Sequence, residues 1–393
     1  SVGSIDRIKN ITKIVISYLK KRYKVIVVSS AMSGDTNKLI KFTKLISNNF
    51  KDSEYDTILA TGEQISCSLI AGRLNDMGYI SRSWLGWQVP IITTGNYSFS
   101  RIIKIYKKNV FNFLKRGGVP IIAGFQGINK ENRITTLGRG GSDSSAIMLA
   151  KFFKAEKCII YTDVDGVYTT DPNVVPKAKK IKKISYEEML EMSSLGAKVM
   201  QPHSIQDARL GRIDVEVRSS FKNISGSLIT KRKNVSTKNI IRGVSFTKND
   251  AKITLVAVKD KPGVAAAIFE PMYKNSINVD MVVQNISSNK KETDLTFTIQ
   301  NEDLVKTKKL IKKNNKIKFK KIIIDEKVSK VSIVGVGMIT TPGVTFRMFN
   351  ALAKKNINII VISTSEIKIS VLVDRKNLKK AVDVLHKEFK LDN

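Results

Sequence analysis

The stretch Tyr23-Lys24-Val25-Ile26-Val27-Val28-Ser29-Ser30-Ala31-Met32, "YKVIVVSSAM", carries the fold class of the first two thirds of the chain. A continuous apolar run that stops at a polar turn is the pattern of a strand buried on both faces, as in a parallel sheet. "VPIIAGFQGI" from Val119 and "KCIIYTDVDGVY" from Lys157 read the same way. Between these runs lie apolar residues at helical spacing: "DTNKLIKFTKLISNNF" from Asp35, "EQISCSLIAGRLNDMG" from Glu63, and "FSRIIKIYKKNVFNFLKRGG" from Phe99, which ends in glycine. The layout is α/β, a mostly parallel sheet between helices. Ligands of such sheets bind beyond the carboxyl ends of the strands. Polar motifs follow each strand there: "SSAMSGDT", "GFQG" and "TDVDGVYTTDP".

A fourth motif, "LGRGGSDSSA" from Leu137 to Ala146, precedes the apolar run "IMLAKFF". Glycines allow backbone N–H groups to approach a ligand closely. Ser142 or Asp143 is placed to cap the helix that follows. A helix start binds anions, and Arg139 adds a fixed-charge fork. The plain alternative is a glycine turn and a capped helix.

The composition narrows the function classes. The 393 residues are enough for two or three domains, and 42% hydrophobic content supplies ordinary cores. No apolar run approaches the ~20 residues of a membrane helix. The first 22 residues, "SVGSIDRIKNITKIVISYLKKR", scatter charges among apolar positions and read as an amphipathic helix, not a secretory signal. Two cysteines, Cys67 and Cys158, make neither a disulfide framework nor a metal cluster, and a reducing cytoplasm is the expectation. The net charge of +34 raises nucleic-acid binding. The lysines, however, spread along the whole chain, and runs such as "KKIKK" lack the interleaved aromatics of a stacking platform. Solvated faces are the better reading, with no nucleic-acid or membrane partner.

After the Lys/Asn/Ser/Gly-rich "SFKNISGSLITKRKNVSTKN", a linker or connecting strand, the chain repeats itself. "KPGVAAAIFEPMYKNSINVDMVVQNIS" from Lys261 lies on "TPGVTFRMFNALAKKNINIIVISTS" from Thr341. "KITLVAV" precedes the first copy and "VSIVGVG" the second; "DLTFTIQ" and "IKISVLV" supply third strands, and "NEDLVKTKKLIKK" and "RKNLKKAVDVLHKEF" second helices. Each copy reads as a βαββαβ unit.

The chain holds only two histidines. His203 follows a proline at a helix start and reads as structural; His386 reads as a surface residue of a terminal helix. No Ser/His/Asp or Cys/His arrangement is present, so a reaction needing a base near neutral pH is poorly served. Phosphoryl transfer to a carboxylate is well served: the acceptor is already ionised, and the protein supplies positioning, positive charge and a metal.

Nine segments together resemble the aspartate kinases, in the monofunctional, lysine-biosynthesis form with tandem C-terminal ACT domains: "VVSSAMSGDTNKL", "LATGEQIS", "GFQG", "LGRGGSDSSA", "YTDVDGVYTTDPNVVPKAKKI", "GAKVMQPHSI", "DKPGVAAAIF", "INVDMVVQNISS" and "STSEIKISVLV". They span the chain in the family's order. The resemblance implies an amino-acid-kinase fold over 1–235 and two ACT-like units over 245–325 and 326–393. It implies ATP and magnesium (Mg2+), conversion of L-aspartate to 4-phospho-L-aspartate, inhibition by lysine or threonine, and a homodimer or higher oligomer formed through the ACT units.

The same resemblance assigns roles. Glu63 of "TGE" holds the substrate ammonium, against a plain alternative of a first-turn carboxylate with Thr61 as cap. Arg139 grips a substrate carboxylate, with Gly140, Gly141 and Ser142 beside it, and Asp143 arranges the phosphate end. Thr36 is a substrate-side candidate and Ser30 a nucleotide-side one; Thr162, Asp163, Tyr168 and Asp171 form the nucleotide loop, with Lys198 near the phosphates. The stretch Thr162 to Asp165 taken alone is an Asx-rich turn. Asp260, Gly263, Val264, Gln284 and Asn285 are the candidate effector site.

Two departures stand out. The family begins with a "KFGGTS" or "KYGGTS" strand and turn, and this chain opens at what resembles the last serine of that motif. The expectation is a missing segment of about nine residues, with poor turnover by the chain as it stands. Asn173 also stands where the family has Arg after "TTDP", weakening one nucleotide contact. The competing readings are a kinase of glutamate or of a nucleoside monophosphate, and a catalytically silent, amino-acid-sensing regulatory subunit. The ACT pair and "TGE" favour aspartate over the first.

Overall fold

A computed structural model describes residues 2–195, 199–235, 239–286 and 292–392. The chain forms two compact units. The first holds residues 1–167, 182–193 and 198–235, and the second holds 168–181, 194–197 and 236–393.

In the first unit the strand Val119–Ala123 is buried at every residue and pairs in parallel with Val27–Ser29 on one side and Ser81–Trp84 on the other. Side chains alternate across a strand. Ile121 accordingly joins Ile8, Val15, Ile70 and Leu74 from the helices Ile5–Lys20 and Thr61–Asp76, while Ile122 joins Val110, Met148 and Leu149 on the opposite face. Two further sheets complete the unit, ordered Ile102–Ile105, Ile91–Thr93, Gln126–Ile128, Ile134–Thr136, and Cys158–Thr162, Val215–Ser219, Ser227–Thr230, Lys183–Ser185. Among the described residues five strand pairs of the unit are parallel and three antiparallel, consistent with the mostly parallel layout expected.

The segment from Phe99 is not one helix. It forms the strand Ile102–Ile105 and then the helix Lys108–Lys115. Ile102, Ile103 and Ile105 are β-branched residues that gain a partner strand in Ile91–Thr93, and that tertiary pairing overrides the helical spacing.

The second unit is built on one six-stranded antiparallel sheet, ordered Asp280–Ile286, Glu292–Gln300, Gly243–Lys259, Lys321–Val334, Lys368–Asp374, Val361–Thr364. Two of these strands serve both repeats. Ala251, Ile253 and Leu255 pack with Ile322 and Ile324 in the first repeat's core, against the helices Val264–Lys274 and Leu304–Lys313. Val244 packs with Val331 and Ile333 in the second repeat's core, against the helices Val344–Ala353 and Leu378–Glu388. The second repeat has no strand of its own after its last helix among the described residues. The start of Gly243–Lys259 fills that place, pairing Gly243 with Val334 through Thr247 with Lys330. A division between 325 and 326 therefore falls inside one continuous strand.

His386 is a correction: it is fully buried, not a surface residue. The helix Leu378–Glu388 carries it on the face that also buries Val382 and Leu385.

Candidate functional site

At the carboxyl ends of Val27–Ser29 and Val119–Ala123 the first unit opens into a cleft of about 860 Å³. Ser30, Thr36, Glu63 and the whole loop Gly138–Ser144 line it, so the substrate-side residues named from the sequence come together at one place. A smaller cavity of about 220 Å³ is lined by Ser30, Asp143 and Thr162. Ser30 and Asp143 thus line both spaces.

Glu63 lies in the first turn of the helix Thr61–Asp76 and is 4% exposed. Its Oε1 accepts a 3.0 Å hydrogen bond from the backbone N–H of Ala31, and its Oε2 is buried without a partner among the described residues. Burial pushes its pKa up from 4.5 to about 7; the hydrogen bonds from the Ala31 and Glu63 N–H groups oppose that rise, and Asp35 adds to it. A buried carboxylate with one unused oxygen has room for a cation. The capping alternative does not fit: no side chain caps this helix, and the Thr61 hydroxyl donates backwards to Ile58 O. Gly62 explains the close approach. A Cβ there would sit 2.8 Å from the Ala31 Cβ, so glycine lets the helix reach the turn that Glu63 grips.

The loop's conformation also differs from the capped helix expected. Gly140 is the N-cap of Gly141–Phe153, in the left-handed region at φ 70°, and neither Ser142 nor Asp143 caps the helix. The N–H of Gly141 bonds to Gly138 O. The uncapped first turn of this 13-residue helix points at the cleft with its dipole positive. A side chain at Gly140 would be strained by that φ and would meet Gln201 Cγ at 2.5 Å. Arg139 is exposed on the cleft rim. Burial raises the Asp143 pKa to about 6.

Several lining residues were not singled out from the sequence: Tyr55, Ser98, Phe99, Arg101, Gln201 and Asp207; His203 lines the cleft as well. His203, read as structural, has its Nε2 buried without a hydrogen-bond partner, and burial lowers its pKa, with Asp207 opposing and Arg101 reinforcing. Behind the wall sits Asp56, fully buried. Its carboxylate accepts from the N–H and hydroxyl of Ser98 and from the N–H and hydroxyl of Thr136, at 2.7–3.1 Å. Asp56 thus ties together two segments that line the cleft. A lone carboxylate in a helical stretch carries no local signal of that role, because its partners lie 42 and 80 residues away.

The remaining nucleotide-side residues divide. Thr162 lines the smaller cavity and donates to Asp163 Oδ1 at 3.1 Å. Tyr168 and Asp171 belong to the second compact unit. Asn173 folds back on Asp171, whose Oδ1 accepts from both its backbone and side-chain nitrogens. Lys198 lies outside the described residues. In the second unit Gly263 is a left-handed N-cap at φ 88° with no side-chain cap, next to exposed Asp260. The Val264 N–H is already bonded to Lys261 O, so any free N–H groups come from later in the turn. Gln284 and Asn285 are exposed on the end strand Asp280–Ile286.

The amino acid kinase family profile matches residues 1–219, and an ACT domain profile matches twice, over 253–314 and 331–389. An aspartate kinase of Pseudomonas putida is 45% identical over 394 residues, which cover 100% of this chain and 96% of that protein. An aspartokinase of Pseudomonas aeruginosa is 43% identical over 395 residues, covering 100% and 96%. The crystal structure of E. coli aspartokinase III in complex with aspartate and ADP has the same fold, with a TM-score of 0.81 at 23% identity over 99% of this chain and 97% of that one.

Proposed function

The chain belongs to the aspartate kinase family, a family of phosphotransferases, and on that premise we propose that it transfers the terminal phosphoryl group of ATP to the side-chain carboxylate of L-aspartate, giving 4-phospho-L-aspartate. The observation that carries the reading is the pairing of opposite charges in one cleft: Glu63 with an unused buried oxygen, and Arg139 on a glycine loop at an uncapped helix start. An amino acid with a second carboxylate matches that pattern. Glu63 takes the ammonium, and Arg139 with Gly140, Gly141 and Ser142 takes a carboxylate. Thr36 lines the same cleft and is assigned to the substrate.

The acceptor carboxylate is ionised near pH 7 and needs no base; burial shifts the pKa of His203 in the cleft downward. The chain's work is to align acceptor and donor and to surround the developing charge with fixed dipoles. Ser30, Thr162, Asp163, Tyr168, Asp171 and Lys198 are assigned to the nucleotide. Magnesium fits as an ion carried by the nucleotide's phosphates. No group of three or more His, Cys, Asp or Glu side chains able to hold a metal occurs among the described residues, whereas Asp143 offers the single carboxylate that phosphate-bound magnesium commonly takes from a protein. An ion held at Asp143 would supply positive charge to the transferring group.

The ACT pair supports regulation by lysine, threonine or both, bound at Asp260, Gly263, Val264, Gln284 and Asn285. Among the described residues the end strands Asp280–Ile286 and Val361–Thr364 each have a strand partner on one side only, which suits pairing between chains in a dimer. Both cysteines are free and buried, in keeping with a cytoplasmic setting, and no described helix is long and apolar enough to cross a membrane.

The test is aspartate-dependent release of ADP from ATP, with hydroxylamine added to trap the acyl phosphate as a hydroxamate. Turnover with aspartate, and little with glutamate, supports the reading. Lysine or threonine binding without any turnover would instead return the silent regulatory subunit.

A further inference from the structure

The segment Tyr168–Ile181 leaves the first unit after Val167 and returns to it at Lys182, yet it packs as part of the second unit. Thr169 is its fixed point. The Thr169 N–H donates to Lys179 O at 2.9 Å, and its hydroxyl accepts from the Lys179 N–H at 2.9 Å, which closes the segment on itself. Its carbonyl accepts from the Val244 N–H at 2.7 Å. Its Oγ1 also lies 2.9 Å from Nε2 of His386. Val175 is buried in the second repeat's core with Val331, Val382 and Leu385, and Val174 packs beside it.

His386 is costly where it stands. Burying a polar ring demands a compensating bond, and a leucine would fill the same core without one. The imidazole is fully buried, and among the described residues its Nδ1 has no hydrogen-bond partner and its Nε2 bonds to Thr169 alone. The contact therefore selects for holding Thr169. The neighbours of Thr169 are Tyr168, directly before it, and Asp171, two residues on, both assigned above to the nucleotide.

We propose that His386 is a positioning residue for the nucleotide: by clamping Thr169 it fixes Tyr168 and Asp171, so that the last helix of the second ACT-like unit sets nucleotide affinity. The inference rests on the proposed kinase reading for the identity of that ligand. It also gives the regulatory half a physical handle. Val244 lies on the strand Gly243–Lys259, whose other end is the residue before Asp260. One strand thus runs from the candidate effector turn to the backbone of the clamped segment.

The experiment uses the full chain with His386→Leu, His386→Gln, Thr169→Val, Thr169→Ser and the double variant His386→Leu/Thr169→Val. Loss of a buried bond that leaves its partner unsatisfied predicts a rise of about tenfold in KM for ATP and in Kd for ADP. KM for aspartate is expected to stay within about twofold, and the double variant to be no worse than the worse single one, since both remove one contact. Gln and Ser, which keep a polar atom at the contact, are expected to restore most of the affinity. The proposal is overturned if ADP binds normally to the folded His386→Leu and Thr169→Val proteins. It is equally overturned if both substrates weaken together, which marks general damage. Should His386→Leu fail to fold, Thr169→Val against Thr169→Ser carries the same comparison. Calorimetric ADP binding needs no turnover, so the clamp is judged even if the unsubstituted chain fails to phosphorylate aspartate, an outcome that would sink the kinase reading alone.

Discussion

Replacing Glu63 with glutamine is expected to weaken aspartate binding while making the catalytic unit more stable. The two effects have one cause. In the folded chain burial moves the Glu63 pKa from 4.5 to about 7. That displacement corresponds to roughly 3 kcal/mol of opposition to the charged form at pH 8. The sign follows from linkage. A group whose folded pKa is raised contributes stability that is fully present below its unfolded pKa and is lost as pH rises through the folded one. Glu63 is therefore neutral and harmless below pH 4.5, and costs the fold most above about pH 7. Glutamine removes the cost but weakens the bond from Ala31, leaving a net gain of about 1–2 kcal/mol at pH 8 and much less at pH 5. The substrate ammonium, by contrast, needs the ionised carboxylate. Losing one charge-assisted contact of about 1.5–3 kcal/mol raises KM for aspartate about 10- to 150-fold, with ATP affected little. In the unsubstituted chain kcat/KM for aspartate should fall as pH drops through about 7, and in Glu63→Gln that step should disappear. Calorimetric melting at pH 5 and pH 8, together with steady-state kinetics across that range, reads both halves. A variant with normal aspartate KM and lower stability at pH 8 would refute the reasoning and return Glu63 to the duty of anchoring Ala31.

Arg139→Ala is expected to raise KM for aspartate by about tenfold or more, and Arg139→Lys to recover only part of it, because an ammonium lacks the two-pronged fork; equal recovery by lysine would make the contact a simple point charge. Asp56→Asn removes the charge that four donors from Ser98 and Thr136 converge on, and should destabilise the first unit by about 3 kcal/mol in denaturant melts; a change below about 0.5 kcal/mol would show that the two segments hold themselves in place. Asp260→Ala should relieve inhibition by lysine or threonine, a coupling of about 1–3 kcal/mol, while leaving uninhibited kcat nearly unchanged. If neither amino acid binds by calorimetry, the ACT pair serves only to join chains.

The amino-acid sequence alone determined whatever depends on neighbours in the chain. The strand Val119–Ala123 and the helices Asp35–Ile46 and Thr61–Asp76 are legible because a continuous apolar run and helical spacing are local patterns. The glycine loop at 138–141 is legible because left-handed backbone needs glycine within a few residues of the helix it starts. The repeat is legible because each copy keeps its own turn and helix. What the sequence did not disclose are the features made by segments meeting from far apart. "FSRIIKIYKK" became a strand because Ile91–Thr93 was there to pair with it. The two repeats share Gly243–Lys259 and Lys321–Val334, with Gly243–Thr247 pairing against Lys330–Val334 of the second repeat. Asp56 and His386 look like surface residues in their own helices. They are buried because donors at Ser98 and Thr136, and a hydroxyl at Thr169 that lies 217 residues from His386, arrive to meet them. A polar side chain goes inside only when its partner does, and only the tertiary structure brings that partner.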